Sequence, residues 1–303
     1  MHKKRKIRWL GTPAFGFSLL ELLVAMGVLA LLIVLIAQLF TSAQGLVENG
    51  SKQMDADAQA RAVFDRMAID FAQIIRRPDV DCFLKDRDHP QPGNDQLAFF
   101  GQVRGYPGED SYSSVSLVAY RINAAAQMER LGCGLPWNGQ GGQPMVFLPF
   151  KISDVCPNAT TSASDDDYEL AGPEVFRMEY YYVIKSAASN PSILSSLPWD
   201  ARAPTSHSAV KGYRDVAAIG VVVAVIDPKS RKLVSSTDLN RLAQRLSDFP
   251  ETDSSGNNAA KPGDLEADWQ KAVTASDLPR AAASSIRIYR RWFPLSTVSS
   301  LNP

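Results

Sequence analysis

An uninterrupted apolar run near the N-terminus constrains this 303-residue chain more than any other feature. Residues 17–40 carry only three polar side chains, those of Ser18, Glu21 and Gln38. At about 1.5 Å per residue, a helix of this length reaches roughly 36 Å, enough to cross a hydrocarbon core of about 30 Å. A leader rich in Lys and Arg precedes the run, so the positive-inside rule predicts a cytoplasmic N-terminus and a C-terminal part outside the membrane.

The residues that open the run differ from those of an ordinary secretory signal. Such a signal has an apolar region of about 7 to 15 residues before a small-residue cleavage site, and this run is longer. The segment GFSLLE, residues 16–21, resembles the type III signal of type IV pilins and of the pseudopilins of type II secretion. This resemblance implies cleavage after Gly16 by a prepilin peptidase and N-methylation of Phe17.

Glu21 is an acid in a segment that otherwise avoids charge. An ionised group in the bilayer costs at least about 2.5 to 3.5 kcal/mol, so an intramembrane acid is expected to have a partner. The resemblance implies that this partner is the new α-amino group of a neighbouring subunit, and that the pair sets the axial register of the filament. The positive end of the helix also favours Glu21. A carboxylate that snorkels at the lipid interface is the alternative.

Three further segments refine the resemblance. Gln38 stands where major type IV pilins commonly carry a helix-kinking proline, which favours a pseudopilin or minor pilin. The segment AQARAVFDRMAIDFAQIIRRPDV, residues 58–80, is similar in style to the first ectodomain helix of J-type minor pseudopilins. The segments DVAAIGVVVAVIDPKS and IRIYRRWFPL resemble the Verru_Chthon cassette protein C group, prepilin-type proteins of Verrucomicrobia that are encoded together in cassettes.

The apolar pattern after the span predicts the fold class. The helix is expected to continue to Arg77, where Pro78 ends it, with Gly45 or residues 49–51 as a possible break. Segments rich in Val, Ile, Phe and Tyr then predict strands over 96–103, 115–122, 145–150, 175–185, 216–227 and 285–293. One long helix followed by strands predicts an α+β fold with the helix packed on an antiparallel sheet, which is also the pilin-like architecture.

The last third of the chain allows more detailed predictions. Residues 216–226, VAAIGVVVAVI, are too few to span a membrane, and their continuous apolar pattern predicts a central strand buried on both faces. After a turn at residues 227–230, a returning hairpin strand is expected over 231–235. Short helices are predicted over 238–249 and 264–275.

These predictions divide the chain into four parts. Residues 1–16 are the leader, and residues 17–40 are the transmembrane and filament-core helix. Residues 41–77 are the amphipathic continuation of that helix, and residues 78–303 form an extracytoplasmic β-rich domain. The expected location is the cytoplasmic membrane, crossed once, and then a fibre in the periplasm or at the cell surface.

An acidic loop is a candidate calcium site, since oxygen-rich loops can bind Ca²⁺ and some pseudopilins do so. Its carboxylates belong to Asp165, Asp166, Asp167 and Glu169. The spacing lacks the pattern of an EF-hand loop, and a solvated surface loop is the alternative.

The chain has three cysteines, Cys82, Cys133 and Cys156, which allow at most one disulfide bond. Cys133 and Cys156 are the nearer pair, and an oxidising compartment would permit their bond. Three small buried side chains are the alternative.

A basic and aromatic cluster near the C-terminus has the composition of a platform for single-stranded nucleic acid. Its members are Arg287, Tyr289, Arg290, Arg291 and Trp292. An edge strand protected by charges is the alternative. Without the leader, 27 basic residues face 32 acidic ones, so no nucleic-acid partner is expected.

The sequence contains no catalytic motif of the HExxH, GxSxG, Walker or helix-opening GxGxxG type. It therefore predicts an assembly protein rather than an enzyme, without a cofactor unless the acidic loop binds Ca²⁺. The resemblance implies three kinds of partner: a prepilin peptidase, other prepilin-like subunits of the same cassette or fibre, and an inner-membrane assembly platform. The alternatives are a fibre-tip binding module, such as an adhesin or DNA-uptake receptor, and a membrane-anchored enzyme.

Overall fold

The computed structural model describes residues 18–75, 93–103, 115–134, 168–184, 193–195, 216–249 and 261–295. The chain forms two compact units, one up to Gly50 and one from Ser51 onwards. The second unit contains two antiparallel sheets, and helices cover them. This is the α+β class with a long N-terminal helix that the sequence predicts.

Helix α1 runs from Leu19 to Ala72 without a break at Gly45 or at residues 49–51. It ends earlier than the predicted boundary at Arg77, because the chain leaves the helix to pair with the end of a strand. The Ile75 N–H donates to the Phe100 carbonyl at 2.8 Å, and the Gln102 N–H donates to the Gln73 carbonyl at 2.8 Å. These two bonds satisfy backbone groups that a longer helix would have used.

The first sheet contains four antiparallel strands in sequence order: β1 (Leu97–Gly101), β2 (Ser116–Ile122), β3 (Met128–Gly134) and β4 (Tyr168–Gly172). The predicted strands over 96–103 and 115–122 are confirmed as β1 and β2. The sequence pattern missed β3 and β4. The charged side chains Glu129 and Arg130 interrupt the apolar pattern of β3. Glu129 accepts from Arg121 on the neighbouring strand β2, and Arg130 donates to Asp70 of α1.

The second sheet has the order β6-β5-β7-β8, again antiparallel throughout. Its strands are β5 (Val175–Ile184), β6 (Ile193–Ser195), β7 (Val216–Val225) and β8 (Arg287–Pro294). The predictions over 175–185, 216–227 and 285–293 are confirmed as β5, β7 and β8. The predicted strand over 145–150 lies outside the described residues.

Strand β7 is buried on both faces, as its continuous apolar sequence predicts. Val221 and Val223 belong to the core that contains α1, whereas Val222 and Ala224 belong to a second core on the opposite face of the sheet. The second core is closed by α3 (Ser236–Arg245) and α4 (Asp264–Thr274). Both helices begin within two residues of their predicted starts, but α3 ends four residues before its predicted end at 249, because the backbone of Leu246 is extended.

The predicted hairpin strand over 231–235 is wrong. The Asp227 carboxylate accepts the Lys229 and Ser230 N–H groups at 3.0 and 3.1 Å, which starts the short helix α2 (Pro228–Arg231). Asp followed by Pro is a helix start as well as a turn, because Asp caps the orphan N–H groups and Pro presets the first helical φ. Another short helix, α5 (Arg280–Ala283), precedes β8.

A buried charge cluster joins the second sheet to α3 and α4. The fully buried Arg177 guanidinium donates to Asp248 at 2.6 Å and to Glu179 at 3.2 Å. Glu179 also accepts the Phe249 N–H at 3.1 Å, and the Trp269 indole N–H donates to the Ser247 carbonyl at 2.7 Å. These bonds fix the chain after α3, so that the aromatic side chains of the second core have one arrangement.

The second half of α1 lies in the first core. Six apolar side chains at spacings of three or four are buried there: Ala56, Ala60, Val63, Phe64, Met67 and Phe71. The centroid of the Phe71 ring lies 5.2 Å from the centroid of the Phe99 ring of β1 and 4.9 Å from that of the Phe293 ring of β8. One aromatic side chain of α1 therefore contacts both sheets.

We expect Phe71→Ala to lower the free energy of unfolding by about 3 to 5 kcal/mol, because it removes a buried ring and leaves a cavity. Urea denaturation of the full-length protein in detergent, followed by near-UV circular dichroism, measures this loss. The control is Ile69→Ala on the same helix, where the side chain is half exposed and the expected loss is below about 1 kcal/mol. Equal losses in the two variants would contradict the position given to Phe71.

Candidate functional site

The start of α1 forms a capping box, a reciprocal hydrogen-bonded motif at a helix N-terminus. The Ser18 hydroxyl accepts the Glu21 N–H at 3.1 Å, and the Glu21 carboxylate accepts the Ser18 N–H at 3.1 Å. The same carboxylate oxygen, Oε2, also accepts the Ser18 hydroxyl at 3.2 Å. Two orphan N–H groups of the helix end are satisfied in this way. Gly16 and Phe17 lie outside the described residues.

The capping box gives Glu21 a local partner that the sequence reasoning missed. The signal was present in the sequence, since Ser18 stands three positions before Glu21 at the start of an apolar run. The motif uses Oε2 alone for both Ser18 bonds. The carboxylate therefore lies at the positive end of the α1 dipole with a defined orientation, and Oε1 can accept a further donor.

Residues 18–50 are exposed along the whole first part of α1. The apolar side chains of the span expose about half of their surface or more, for example Leu35 at 52% and Leu19 at 85%. By length and composition, α1 can cross a membrane. An exposed apolar helix of this size requires lipid or other protein around it.

In the second unit, α1 is fixed to the first sheet through a buried carboxylate. Asp70 is fully buried and receives a two-pronged contact from Arg130 of β3, with Nε at 2.8 Å and Nη2 at 3.0 Å. The Tyr120 hydroxyl of β2 also donates to Asp70. Arg66, one turn earlier on α1, places its Nε 3.6 Å from the Asp70 Oδ2. Both oxygens of Asp70 are therefore satisfied, which a buried charge requires.

The pKa shifts around Asp70 follow from this geometry. Burial and the adjacent Asp70 charge raise the pKa of Tyr120 well above its ordinary value. Burial by itself would lower the pKa of Arg130, but the hydrogen bond and charge of Asp70 outweigh it and raise that pKa. Across the physiological pH range, Tyr120 stays a neutral donor and Arg130 stays a cation.

The basic and aromatic cluster lies on β8, at the end of the strand order of the second sheet. The Tyr289 hydroxyl donates to Asp57 and Arg291 pairs with Asp65, which ties β8 to α1. Arg290 pairs with Glu266 of α4 at 2.8 Å. Burial, followed by the hydrogen bond to Asp57, raises the pKa of Tyr289. Three side chains of the cluster are thus engaged by acids of the same chain, as expected of a charged edge strand.

The other predicted site residues are only partly within the described residues. Asp165, Asp166 and Asp167 lie outside them, and Glu169 is exposed on β4. Within the described ranges, no group of three His, Cys, Asp or Glu side chains could hold a metal ion. Cys133 is disulfide-bonded, and because Cys82 and Cys156 are both outside the described residues, its pairing with Cys156 stays a prediction.

No family model matches the chain. Type II secretion system protein J of Klebsiella pneumoniae is 34% identical to it over 145 residues, which cover 45% of this chain and 70% of that protein. A solved structure, a type IV-like pilin from Thermus thermophilus, aligns over 78% of this chain and 92% of that chain, with 13% identity and a TM-score of 0.34.

We expect Asp70→Asn to lower the free energy of unfolding by about 3 to 5 kcal/mol, because the Arg130 charge stays buried without its counter-ion. Thermal and urea unfolding of the full-length protein measure the change. The matched control is Asp65→Asn on the same helix, whose side chain is 68% exposed and whose loss should stay within about 1 kcal/mol. A loss as small for Asp70→Asn as for Asp65→Asn would show that the buried pair does not hold the helix.

Proposed function

The chain belongs to the type II secretion system protein J family, and on this premise we propose that it is a minor pseudopilin. Family membership makes it a structural subunit of the pseudopilin and pilin class and not an enzyme. In our proposal the chain is processed after Gly16, anchored by residues 17–40, and assembled through α1 into a pseudopilus or pilus-like fibre.

One observation carries the proposal: α1 begins with the Ser18–Glu21 capping box, which directly follows Gly16 and Phe17 in the sequence, and then exposes an apolar surface along its first part. In the membrane, lipid covers this surface. In a fibre, the same surface packs on the α1 helices of other subunits. When helix contacts replace lipid contacts, the apolar side chains stay buried, so the hydrophobic effect favours neither state. Van der Waals packing and polar contacts between the helices therefore determine the stability of the assembly.

Glu21 is proposed to set the axial register of the fibre. Cleavage after Gly16 would create an α-amino group on Phe17, and the amino group of one subunit would pair with the Glu21 carboxylate of the next. Within the subunit, Ser18 holds Oε2 and leaves Oε1 to accept the incoming amine. A wrong register would leave both charges unpaired in an apolar environment, where each is costly.

The proposed partners are a prepilin peptidase, an inner-membrane assembly platform and other prepilin-like subunits. The proposed orientation has the N-terminus in the cytoplasm and the second unit outside it. The disulfide bond of Cys133 supports this orientation, because structural disulfides persist in oxidising compartments. Membership of the Verru_Chthon cassette group stays a prediction. No observation favours a fibre-tip adhesin or DNA receptor as a second function.

The processing step predicts the N-terminus of the mature protein. N-terminal sequencing and mass spectrometry of membrane-extracted protein should find N-methylated Phe17 as the first residue. Gly16→Val should keep the leader, because a β-branched side chain replaces the hydrogen that the peptidase site accepts. A wild-type protein that keeps Met1 and its leader would overturn the proposal.

The register role of Glu21 can be separated from its capping role. Glu21→Gln keeps the capping box, since Gln serves at this position, but removes the charge. We expect normal cleavage and at least about a tenfold loss from the sheared-fibre fraction, the result of losing about 1.4 kcal/mol or more of subunit contact. Ser18→Thr, which keeps the cap, is the control and should assemble normally. Normal assembly of Glu21→Gln would remove the register role while leaving the anchor and processing untouched.

A further inference from the structure

In the second unit, β8 runs alongside α1 in the same direction. Tyr289, near the start of β8, donates to Asp57, and Arg291, further along the strand, pairs with Asp65. The residues that precede Tyr289 therefore lie towards Ser51, where the chain enters this unit. We call this end of the second unit the entry end.

Four basic residues lie at the entry end. Val225, the last residue of β7, pairs with Arg287, the first residue of β8, so β7 also ends there. Helix α2 follows β7, and α5, which contacts α2, leads into β8. We call the basic side chains of these segments the basic patch: Lys229, Lys232, Arg280 and Arg287. The first three are exposed.

The acids of the neighbouring segments do not neutralise the basic patch. Asp227 is fully buried, and its carboxylate caps α2. Two exposed acids already have partners, because Asp238 pairs with Arg241 and Asp277 pairs with Arg245. Within the described residues, no carboxylate forms an ion pair with a residue of the patch. On α1, the exposed Asp55 opposes its four positive charges with one negative charge.

An exposed apolar side chain stands beside the basic patch. Leu233 directly follows Lys232 and exposes 58% of its surface. Its N–H donates to the Ser230 carbonyl at 2.9 Å, so it belongs to the tight turn that ends α2. Lys and Arg around an exposed apolar residue suit the surface of an anionic membrane. The cations attract the headgroups, and the apolar side chain enters the boundary of the acyl chains.

The length of the connecting chain keeps the entry end within reach of the membrane. Residues 41–50 separate the proposed span from Ser51, and as part of helix α1 they rise about 15 Å. The headgroup layer takes up about 5 to 8 Å of this distance, and the potential of anionic lipids extends about 8 to 10 Å beyond it. A tether of this length also gives the lipid surface a high effective concentration, which a partner in solution lacks.

We propose that the basic patch and Leu233 bind the anionic phospholipid headgroups of the membrane that α1 crosses. The inference rests on the proposed function and deepens it, since it specifies how the second unit is held before assembly. Each Lys or Arg near such a surface strengthens the contact about fivefold, which is weak enough to be reversible. Incorporation into a fibre then lifts the second unit away from the lipid.

Lipid photo-crosslinking of the full-length protein in nanodiscs tests the contact. A benzoyl-phenylalanine is placed at Leu233 in one variant and at Leu170 of β4 in the matched control. The two leucines expose 58% and 54% of their surface. Leu170 lies away from the entry end, because its neighbour Glu169 is opposite Arg130, the partner of Asp70 far along α1.

In discs of equal parts phosphatidylglycerol and phosphatidylcholine, position 233 should give lipid adducts at about ten times the yield of position 170. Discs of phosphatidylcholine alone should remove most of this excess. So should about 1 M NaCl, where the Debye length is about 3 Å. Equal yields from the two positions, or an excess that does not depend on phosphatidylglycerol, would overturn the proposal.

A pair of charge substitutions gives an independent readout, amide hydrogen exchange of residues 229–235 in the same discs. In the wild type this segment should exchange more slowly with phosphatidylglycerol than without it. Lys232→Gln should weaken the lipid contact about fivefold and reduce this difference. Lys261→Gln removes the same charge before α4, at the end of that helix away from α5, and should behave like the wild type. Equal behaviour of the two variants would refute the role of the patch.

These assays need neither cleavage after Gly16 nor a fibre. Their failure would remove the lipid contact and leave the processing and assembly of the pseudopilin untouched. A wild-type chain that keeps its leader in cells would instead overturn the proposed function, so the two failures are distinguishable.

Discussion

The contact between Asp70 and Arg130 is the interaction on which the arrangement of the second unit depends. Hydrophobic contacts bring α1 to the sheets, but apolar side chains of similar size can repack when a helix slides or rotates. A buried carboxylate with both oxygens engaged has no such freedom, because movement of the helix would leave an unpaired charge in the core. Asp70 stands next to Phe71, so the position set by the ion pair also places the ring that contacts both sheets.

Helix α1 has a different chemical surface in each unit, which matches two different environments. In the second unit its apolar residues form one stripe, and Asp57, Asp65 and Asp70 connect its flanks to β2, β3 and β8. In the first unit its surface is apolar almost all round, and the first charged side chain is secured by the capping box. A helix of the first kind packs on its own domain. A helix of the second kind is stable only in lipid or among other helices.

The sequence predictions were right where local residue composition indicates the element, and wrong where contacts in the folded protein select it. The strands β1, β2, β5, β7 and β8 were predicted because their segments are rich in β-branched, aromatic and other apolar residues, a composition that favours strands. Strand β3 was missed because Glu129 and Arg130 interrupt its apolar pattern. Glu129 pairs with Arg121 on the neighbouring strand β2, and Arg130 pairs with Asp70 of α1, which is 60 residues away in the sequence. The hairpin after β7 was predicted wrongly because Asp227 and Pro228 permit both a turn and a helix start. In the structure the Asp227 carboxylate caps the Lys229 and Ser230 N–H groups, and a helix begins there.

The sequence by itself determined the apolar helix and the position of Glu21 within it, because these depend on composition and on spacing within one helix. The leader and the signal around Gly16 stay predictions. The sequence also determined the α+β class, since one helix followed by β-rich segments admits few other packings. The tertiary structure decided which polar groups meet: Ser18 with Glu21, Asp70 with Arg130 and Tyr120, and the arginines of β8 with acids of α1 and α4. Except for the first pair, these contacts join residues far apart in the chain. Burial makes such contacts obligatory, but only the folded geometry selects each partner.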